Sequence, residues 1–458
     1  MFKWNTNNII DATGGRGVNG CNWTHSSNIS TDTRSIKKGD LFIALKGKNF
    51  DGHNFLHEAF LKGAAAAIVS EGKYKNFPLI IVQDTLKALH DMASYYIRNI
   101  LVDAKVIAIT GSVGKTTTKD MLHTVLSQYG VSHANEGNLN NNIGLPLTIL
   151  KAPKNCQYLI LEMGMNKAGE IKELSKISNP NIAVITNIEP AHTENFSSLF
   201  DVAQAKLEIL YGMKSNGTLV LNRDNKYYDY LSSHANRNVI SFGKDKNAEV
   251  CLLDLIRNDD GLNFKIRLSD NQTINCNLRV QGEHFAYSLL VVAAVVQSLG
   301  LDLSKLPLAL KNFSVTKGRG NIHKVKYNKK YIHLIDDSYN ASPASMKTAI
   351  KTLSTYSNQR KVALLGDMLE FGDKSIEFHT DLVKIVTENN IDKIYTVGKF
   401  MLELHELLPD NIRGAHFNDS NQLKSDLANI IQNNDAILVK GSRRMKMDLI
   451  VREFIIEY

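Results

Sequence analysis

Four cysteines, Cys21, Cys156, Cys251 and Cys276, are all that 458 residues contain, and no two of them form a C-x-x-C pair. That scatter argues against a zinc site and against a disulfide framework. Long apolar runs are missing as well. The longest, Leu289-Leu290-Val291-Val292-Ala293-Ala294-Val295-Val296, is too short to cross a bilayer. The start, Met1-Phe2-Lys3-Trp4-Asn5-Thr6-Asn7-Asn8, is polar and lacks a signal-peptide core. A cytoplasmic protein with no membrane span is expected. Lys and Arg outnumber Asp and Glu by 54 to 46, for a net charge of +8, yet no arginine-rich tract or basic-aromatic module occurs. No nucleic-acid partner is therefore expected, and anionic small substrates account for the charge. Internal repeats and low-complexity tracts are absent. What is present, 43% hydrophobic and 22% charged residues, is the composition of a globular chain of about two to four domains.

One stretch organises the rest. Val106-Ile107-Ala108-Ile109 runs into Thr110-Gly111-Ser112-Val113-Gly114-Lys115-Thr116-Thr117-Thr118. Met121, Leu122, Val125, Leu126 and Tyr129 then recur at helical spacing. Strand, glycine turn, Lys-Thr and helix make a phosphate-cradling loop, in which backbone N–H groups meet a polyphosphate at a helix N-terminus. Lys115 would meet the β- and γ-phosphates and the Thr116 hydroxyl would ligate Mg²⁺. The strict form has glycine where Ile109 stands, so G-x-x-G-K-T-T is a shortened variant. An ordinary glycine turn is the bland alternative.

The chain on either side alternates strands and helices, which predicts an α/β fold with parallel sheets. Three domains are expected: 1–84, small and α/β; 85–314, a parallel sheet carrying the loop; and 315–458, a Rossmann-like α/β unit. In the first, Leu41 to Leu45 reads as a strand ending at Lys46-Gly47, and Phe55 to Lys62 as a helix. An amphipathic helix over 85–100 links it to the next domain. There, strands are expected at 105–110, 158–163, 183–188, 217–222 and 238–242. A small antiparallel region over 248–280 and helices over 283–299 and 303–312 follow. In the last domain, strands are expected at 331–336, 361–366, 393–397 and 436–440, with a closing helix over 444–456.

Ligands of open parallel sheets sit beyond the carboxyl ends of the strands. Glu162 ends one apolar strand and is either a Mg²⁺ ligand or a surface carboxylate. His192 follows another, as a ligand or a solvated loop histidine. Lys206, within the helix Leu199 to Met213, reads by composition as a helix-surface lysine. Asn138, Asn140, Asn141 and Asn142 offer many donors and acceptors, or are merely turn asparagines. Asp336-Asp337-Ser338-Tyr339-Asn340-Ala341-Ser342-Pro343 ends a strand and opens a helix, with more polar groups than capping requires. Gly366-Asp367-Met368-Leu369-Glu370 and Lys440-Gly441-Ser442-Arg443-Arg444 lie at further strand ends, suggesting a second ligand surface facing the phosphate loop.

On these residues, together with Gly137 to Gly144, Glu162-Met163-Gly164-Met165, Ala191-His192 and Ala205-Lys206, the chain resembles the Mur ligase family along essentially its whole length. The asparagine stretch and Asp336 to Ala341 resemble the branch that adds D-alanyl-D-alanine to a UDP-N-acetylmuramoyl-tripeptide. The resemblance implies an ATP-dependent amide ligase working through an acyl phosphate in peptidoglycan synthesis. It implies two Mg²⁺ sites, held by Thr116, Glu162, His192 and a CO₂-carbamoylated Lys206. Gly111, Ser112, Val113, Gly114, Lys115, Thr116 and Thr117 would bind ATP phosphates. Arg319 would bind phosphate from the C-terminal side, and Asp337 the ribose. Asp32-Thr33-Arg34, Lys46-Gly47 and Asp51-Gly52-His53 resemble the UDP-sugar end, and Asn138, Asn140, Asn141, Tyr339 and Asn340 would also touch substrate. A monomer is expected. One departure stands out. The family usually has His-Asn-x-x-Asn contacting adenine, where this chain reads His284-Phe285-Ala286-Tyr287-Ser288, leaving Phe285, Tyr287 or Ser288 for the base. Other readings are a sibling ligase such as folylpolyglutamate synthase, or a non-catalytic nucleotide-binding regulator.

Overall fold

A computed structural model describes residues 2–456, apart from positions 21, 22, 24, 25, 27, 48, 73, 75, 191, 192, 259 and 260. It contains three α/β sheets. The first runs Arg16–Val18, Leu79–Ile81, Ala66–Val69, Leu41–Ile43, Ile29–Ser30, parallel except for its first pair.

The central sheet has nine strands. Six are parallel, in the order Ser132–Ala134, Tyr158–Glu162, Lys105–Thr110, Ile182–Ile185, Thr218–Asn222, Asn238–Gly243. Val250–Asn258 joins this row in parallel, and Gly261–Arg267 and Thr273–Leu278 continue it antiparallel. The antiparallel region is thus an extension of the main sheet rather than a separate hairpin. Alternation along Lys105–Thr110 covers both faces. Val106 and Ala108 join one core, and Ile107 and Ile109 another, with Met121, Leu122, Val125 and Leu126 of the helix after the loop. The apolar run at 289–296 lies in the helix His284–Ser298, buried in that second core. No helix among the described residues is long and apolar enough to cross a membrane.

The third sheet runs Asn321–Tyr327, Lys330–Asp337, Asp435–Lys440, Arg360–Gly366, Lys393–Val397, Arg413–Phe417, with only the first pair antiparallel.

The helix Thr85–Tyr95 and the short π turn Tyr96–Ile100 do more than link. Ala88, Leu89, Met92 and Tyr96 share one core with Leu41, Ile43 and Ile68 of the first sheet and Leu159 and Leu161 of the central sheet. The Tyr96 hydroxyl donates to Ala152 O at 2.7 Å, satisfying its polar end inside that core.

Candidate functional site

The loop after Lys105–Thr110 is held open by backbone geometry. Gly111 has φ 149° and Gly114 φ 85°, conformations that favour glycine. A Cβ on Gly111 would lie 1.9 Å from Thr186 Oγ1. That hydroxyl donates to Val113 O at 2.6 Å, and Ser112 Oγ donates to Glu189 O at 2.7 Å, so the segment following the neighbouring strand Ile182–Ile185 fixes the loop. Lys115 opens the helix Lys115–Leu126, its Nζ 2.6 Å from Gly111 O.

Behind the loop, Thr116 Oγ1 donates to Glu162 Oε2 at 2.8 Å, and Asn140 Nδ2 donates to Glu162 Oε1 at 2.8 Å. Asn135, which sequence reasoning passed over, is almost fully buried. It accepts from Glu162 N at 2.6 Å and donates to Leu139 O at 2.6 Å, fixing both the carboxylate strand and the asparagine loop. Its only signal was its place just ahead of that loop. Asn141 Oδ1 accepts from Gly144 N at 2.8 Å and opens the helix Gly144–Lys151, while Asn138 lines the cavity.

Lys206 corrects the composition-based reading. It lies in the helix Leu199–Leu207 but is 3% exposed and faces the cavity, without a hydrogen bond among the described residues. Burial, and secondarily Lys115, push its amine well below the ordinary 10.5. An isolated buried ammonium costs several kcal/mol, so burial favours the neutral amine over the charged one. Burial also lowers Lys115, with Arg319 acting in the same direction and Glu162 against it. His192 lies outside the described residues.

The carboxyl ends of the third sheet close the other side. Lys440 Nζ, fully buried, bonds Asp337 Oδ2 at 2.7 Å and Asn340 O at 2.9 Å. Burial pushes the Asp337 carboxyl up, against the pull of Lys440. Tyr339 carries the Arg319 guanidinium 4.2 Å from its ring centroid and that of Arg443 at 5.5 Å. Burial, reinforced by Lys440, depresses His284 to about 4.

Together these elements line one cavity of about 1800 Å³, to which Ser112, Val113, Gly114, Thr117, Asn138, Asn340 and Tyr287 also contribute. Phe285 does not line it and is fully buried in the core. Tyr287 does line it, its hydroxyl donating to Asp224 Oδ2 at 2.9 Å, and Ser288 Oγ pairs with Thr118 Oγ1 at 3.1 Å.

The residues from the first sheet are not part of this cavity. Asp32 binds Arg34 through Nε and Nη2, which holds its carboxyl at about 2. Thr33 is buried, its carbonyl accepting from Lys62 Nζ. His53 is also buried. Its Nε2 accepts from Ser70 N at 3.0 Å, so Nδ1 donates to Asp51 Oδ1 at 2.6 Å. Both ring nitrogens are engaged, and His53 serves here to orient Asp51, whose other oxygen lies 3.8 Å from Lys46 Nζ. Gly52 is needed for close approach, since a Cβ would lie 2.7 Å from Leu45 O. Gly47 adjoins Phe50 in the same turn.

Comparisons with known proteins agree with this architecture. Three family models match: "Mur ligase family, catalytic domain" over residues 25–106, "Mur ligase middle domain" over 109–296, and "Mur ligase, glutamate ligase domain" over 318–443. A UDP-N-acetylmuramoyl-tripeptide–D-alanyl-D-alanine ligase of Buchnera aphidicola subsp. Baizongia pistaciae is 40% identical, covering 94% of this chain and 92% of the relative. Its namesake in Bacillus subtilis is 36% identical, covering 93% of each. The crystal structure of MurF from Acinetobacter baumannii superposes with a TM-score of 0.91 at 31% identity, over 99% of both chains. With its three matched segments and these full-length relatives, the chain belongs to the Mur ligase family.

Proposed function

We propose that this protein is the ATP-dependent ligase that joins D-alanyl-D-alanine to a UDP-N-acetylmuramoyl-tripeptide in peptidoglycan precursor synthesis. The observation that carries this reading is full-length kinship at 30–40% identity with ligases of that name. The cavity supports it: phosphate-loop, carboxylate and lysine groups from one sheet face arginine and aspartate groups from another.

In the reaction, the γ-phosphoryl group of ATP passes to the terminal carboxylate of the tripeptide, leaving ADP. The dipeptide amine attacks the acyl carbon, inorganic phosphate departs, and the amine loses its proton. The chain's task is to position these partners and offset charge on the moving phosphoryl group. The N–H groups of Gly111 to Thr117 cradle the phosphates, and Lys115 leaves its loop carbonyls for them. Arg319 approaches from the opposite wall, and Asp337 offers a carboxylate to the ribose. The base lies against Tyr287 and Ser288; Ser288 stands at one of the usual asparagine positions, whereas Phe285, at the other, is buried in the core. Asn138, Asn140, Asn141, Tyr339 and Asn340 border the space for the peptide, and Asp32, Arg34, Lys46 and Asp51 take the UDP-sugar end.

The Thr116 hydroxyl and the Glu162 carboxylate, 2.8 Å apart on the loop side of the cavity, are hard oxygen donors that fit Mg²⁺. Lys206 does not fit as an amine. As a carbamate formed by its neutral amine and CO₂ it would supply anionic oxygen, and with His192 it would hold a second ion. Bound Mg²⁺ would neutralise phosphate charge. Phosphate release from purified protein tests the reading. It is expected only when the tripeptide, D-alanyl-D-alanine and Mg²⁺ are all present, and release indifferent to the dipeptide would overturn it.

A further inference from the structure

Arg319 sits in a turn between the second and third sheets, so something must fix that turn against the phosphate loop. On the C-terminal side, Gly320 N donates to Asp336 O at 2.8 Å and Tyr339 N donates to Gly318 O at 3.0 Å. Within the turn, Arg319 N donates to Thr316 O at 3.2 Å, making Thr316 its first residue. The Thr316 hydroxyl donates to Asp120 Oδ2, on the helix that begins at Lys115.

Asp120 is itself tied inward. Its Oδ1 lies 2.9 Å from Lys119 Nζ, and Lys119 is only 4% exposed. The same ammonium donates to Asn135 O at 2.7 Å, and Asn135 holds Glu162 N. An unbroken polar path therefore runs from Glu162 through Asn135, Lys119 and Asp120 to Thr316. None of Lys119, Asp120, Asn135 or Thr316 lines the cavity.

We infer that Asp120, held by Lys119, is a positioning residue that pins the Arg319 turn through Thr316 and ties it to the Glu162 side of the site. This rests on the phosphate-facing role proposed above for Arg319. A buried lysine between a carboxylate and a carbonyl is fixed in place, because breaking either contact would strand its charge. The Thr316 contact is the exposed end of the path, and it involves an ionised acceptor, which makes it stronger than a neutral pair.

The test compares Thr316→Val, Thr316→Ser, Arg319→Ala and the Thr316→Val/Arg319→Ala double variant by kcat, ATP KM and unfolding temperature. Thr316→Val is expected to lower kcat about tenfold, the scale of one lost charge-assisted hydrogen bond. ATP KM should stay within about twofold and the unfolding temperature unchanged, because the phosphate loop is intact. Thr316→Ser, which keeps the hydroxyl, should retain activity. In the Arg319→Ala background, Thr316→Val should have no further effect. Parent-like kcat in Thr316→Val beside an impaired Arg319→Ala overturns the pin alone, as does an equal loss in both backgrounds. Full activity in Arg319→Ala overturns the phosphate role and the pin with it.

Discussion

Lys206 sits where an ammonium is poorly tolerated, and the consequence is chemical. Its folded-state pKa lies well below 10.5, with burial the larger cause and Lys115 the smaller. Between the two values the unfolded chain binds one proton more than the folded one. Folding stability of the uncarbamoylated chain thus rises with pH through that window, and the full cost is present below the folded pKa. A neutral amine is also the form that reacts with CO₂. Lys206→Ala is expected to lower ligation by roughly a hundredfold or more, the range seen when an electrostatic group is removed. Short carboxylic acids added to the assay should restore part of it by supplying the missing oxygens, while full activity of the variant would remove Lys206 from the site. At this scale the sequence was least informative. A helix lysine buried by tertiary packing has no local mark, and only family resemblance singled it out. Asn135 and Lys119 were invisible for the same reason, since their importance comes from partners 16 to 27 residues away.

Among elements, the strand, loop and helix from Lys105 to Leu126 could be read from sequence because pattern and chemistry coincide: two buried faces, glycines at the turn, then helical spacing. Gly111 is its tightest point. Gly111→Ala would place a methyl 1.9 Å from Thr186 Oγ1 and displace the bond to Val113 O. ADP affinity should fall at least tenfold, about 1.4 kcal/mol, by titration calorimetry. Parent-like affinity would contradict this account of the loop. The missed strands share a cause. Ser132–Ala134, Asn321–Tyr327 and Arg413–Phe417 lie at sheet edges, are short or carry charge, and present no apolar run. The helix Thr6–Thr13 went unread too, although Asn5 caps it by accepting from Asn8 N and Gly14 ends it at φ 65°. The helix expected over 444–456 begins later, at Asp448, after a 3₁₀ turn over Arg443–Met445.

For the molecule as a whole, the alternation of strands and helices indicated three α/β units, but not how they pack. The first and central sheets share one core through Thr85–Tyr95, a helix that sequence reading took mainly as a linker. Met92→Ala, at a fully buried position in that core, should cost about 2–5 kcal/mol. Scanning calorimetry should show both sheets melting together at a lower temperature. A separate, early transition of the first sheet alone would contradict a common core. The cavity between the central and third sheets likewise combines groups some 220 residues apart in sequence, roughly Lys115 to Asp337, which parallel-sheet topology brings to facing edges.

The central claim concerns what leaves this cavity. Purified protein incubated with ATP, Mg²⁺, a UDP-N-acetylmuramoyl-tripeptide and D-alanyl-D-alanine should yield, by mass spectrometry, the tripeptide substrate enlarged by one intact dipeptide and one lost water, with ADP formed in equal amount. An unchanged tripeptide, or its extension by another amino acid in preference to the dipeptide, would contradict it.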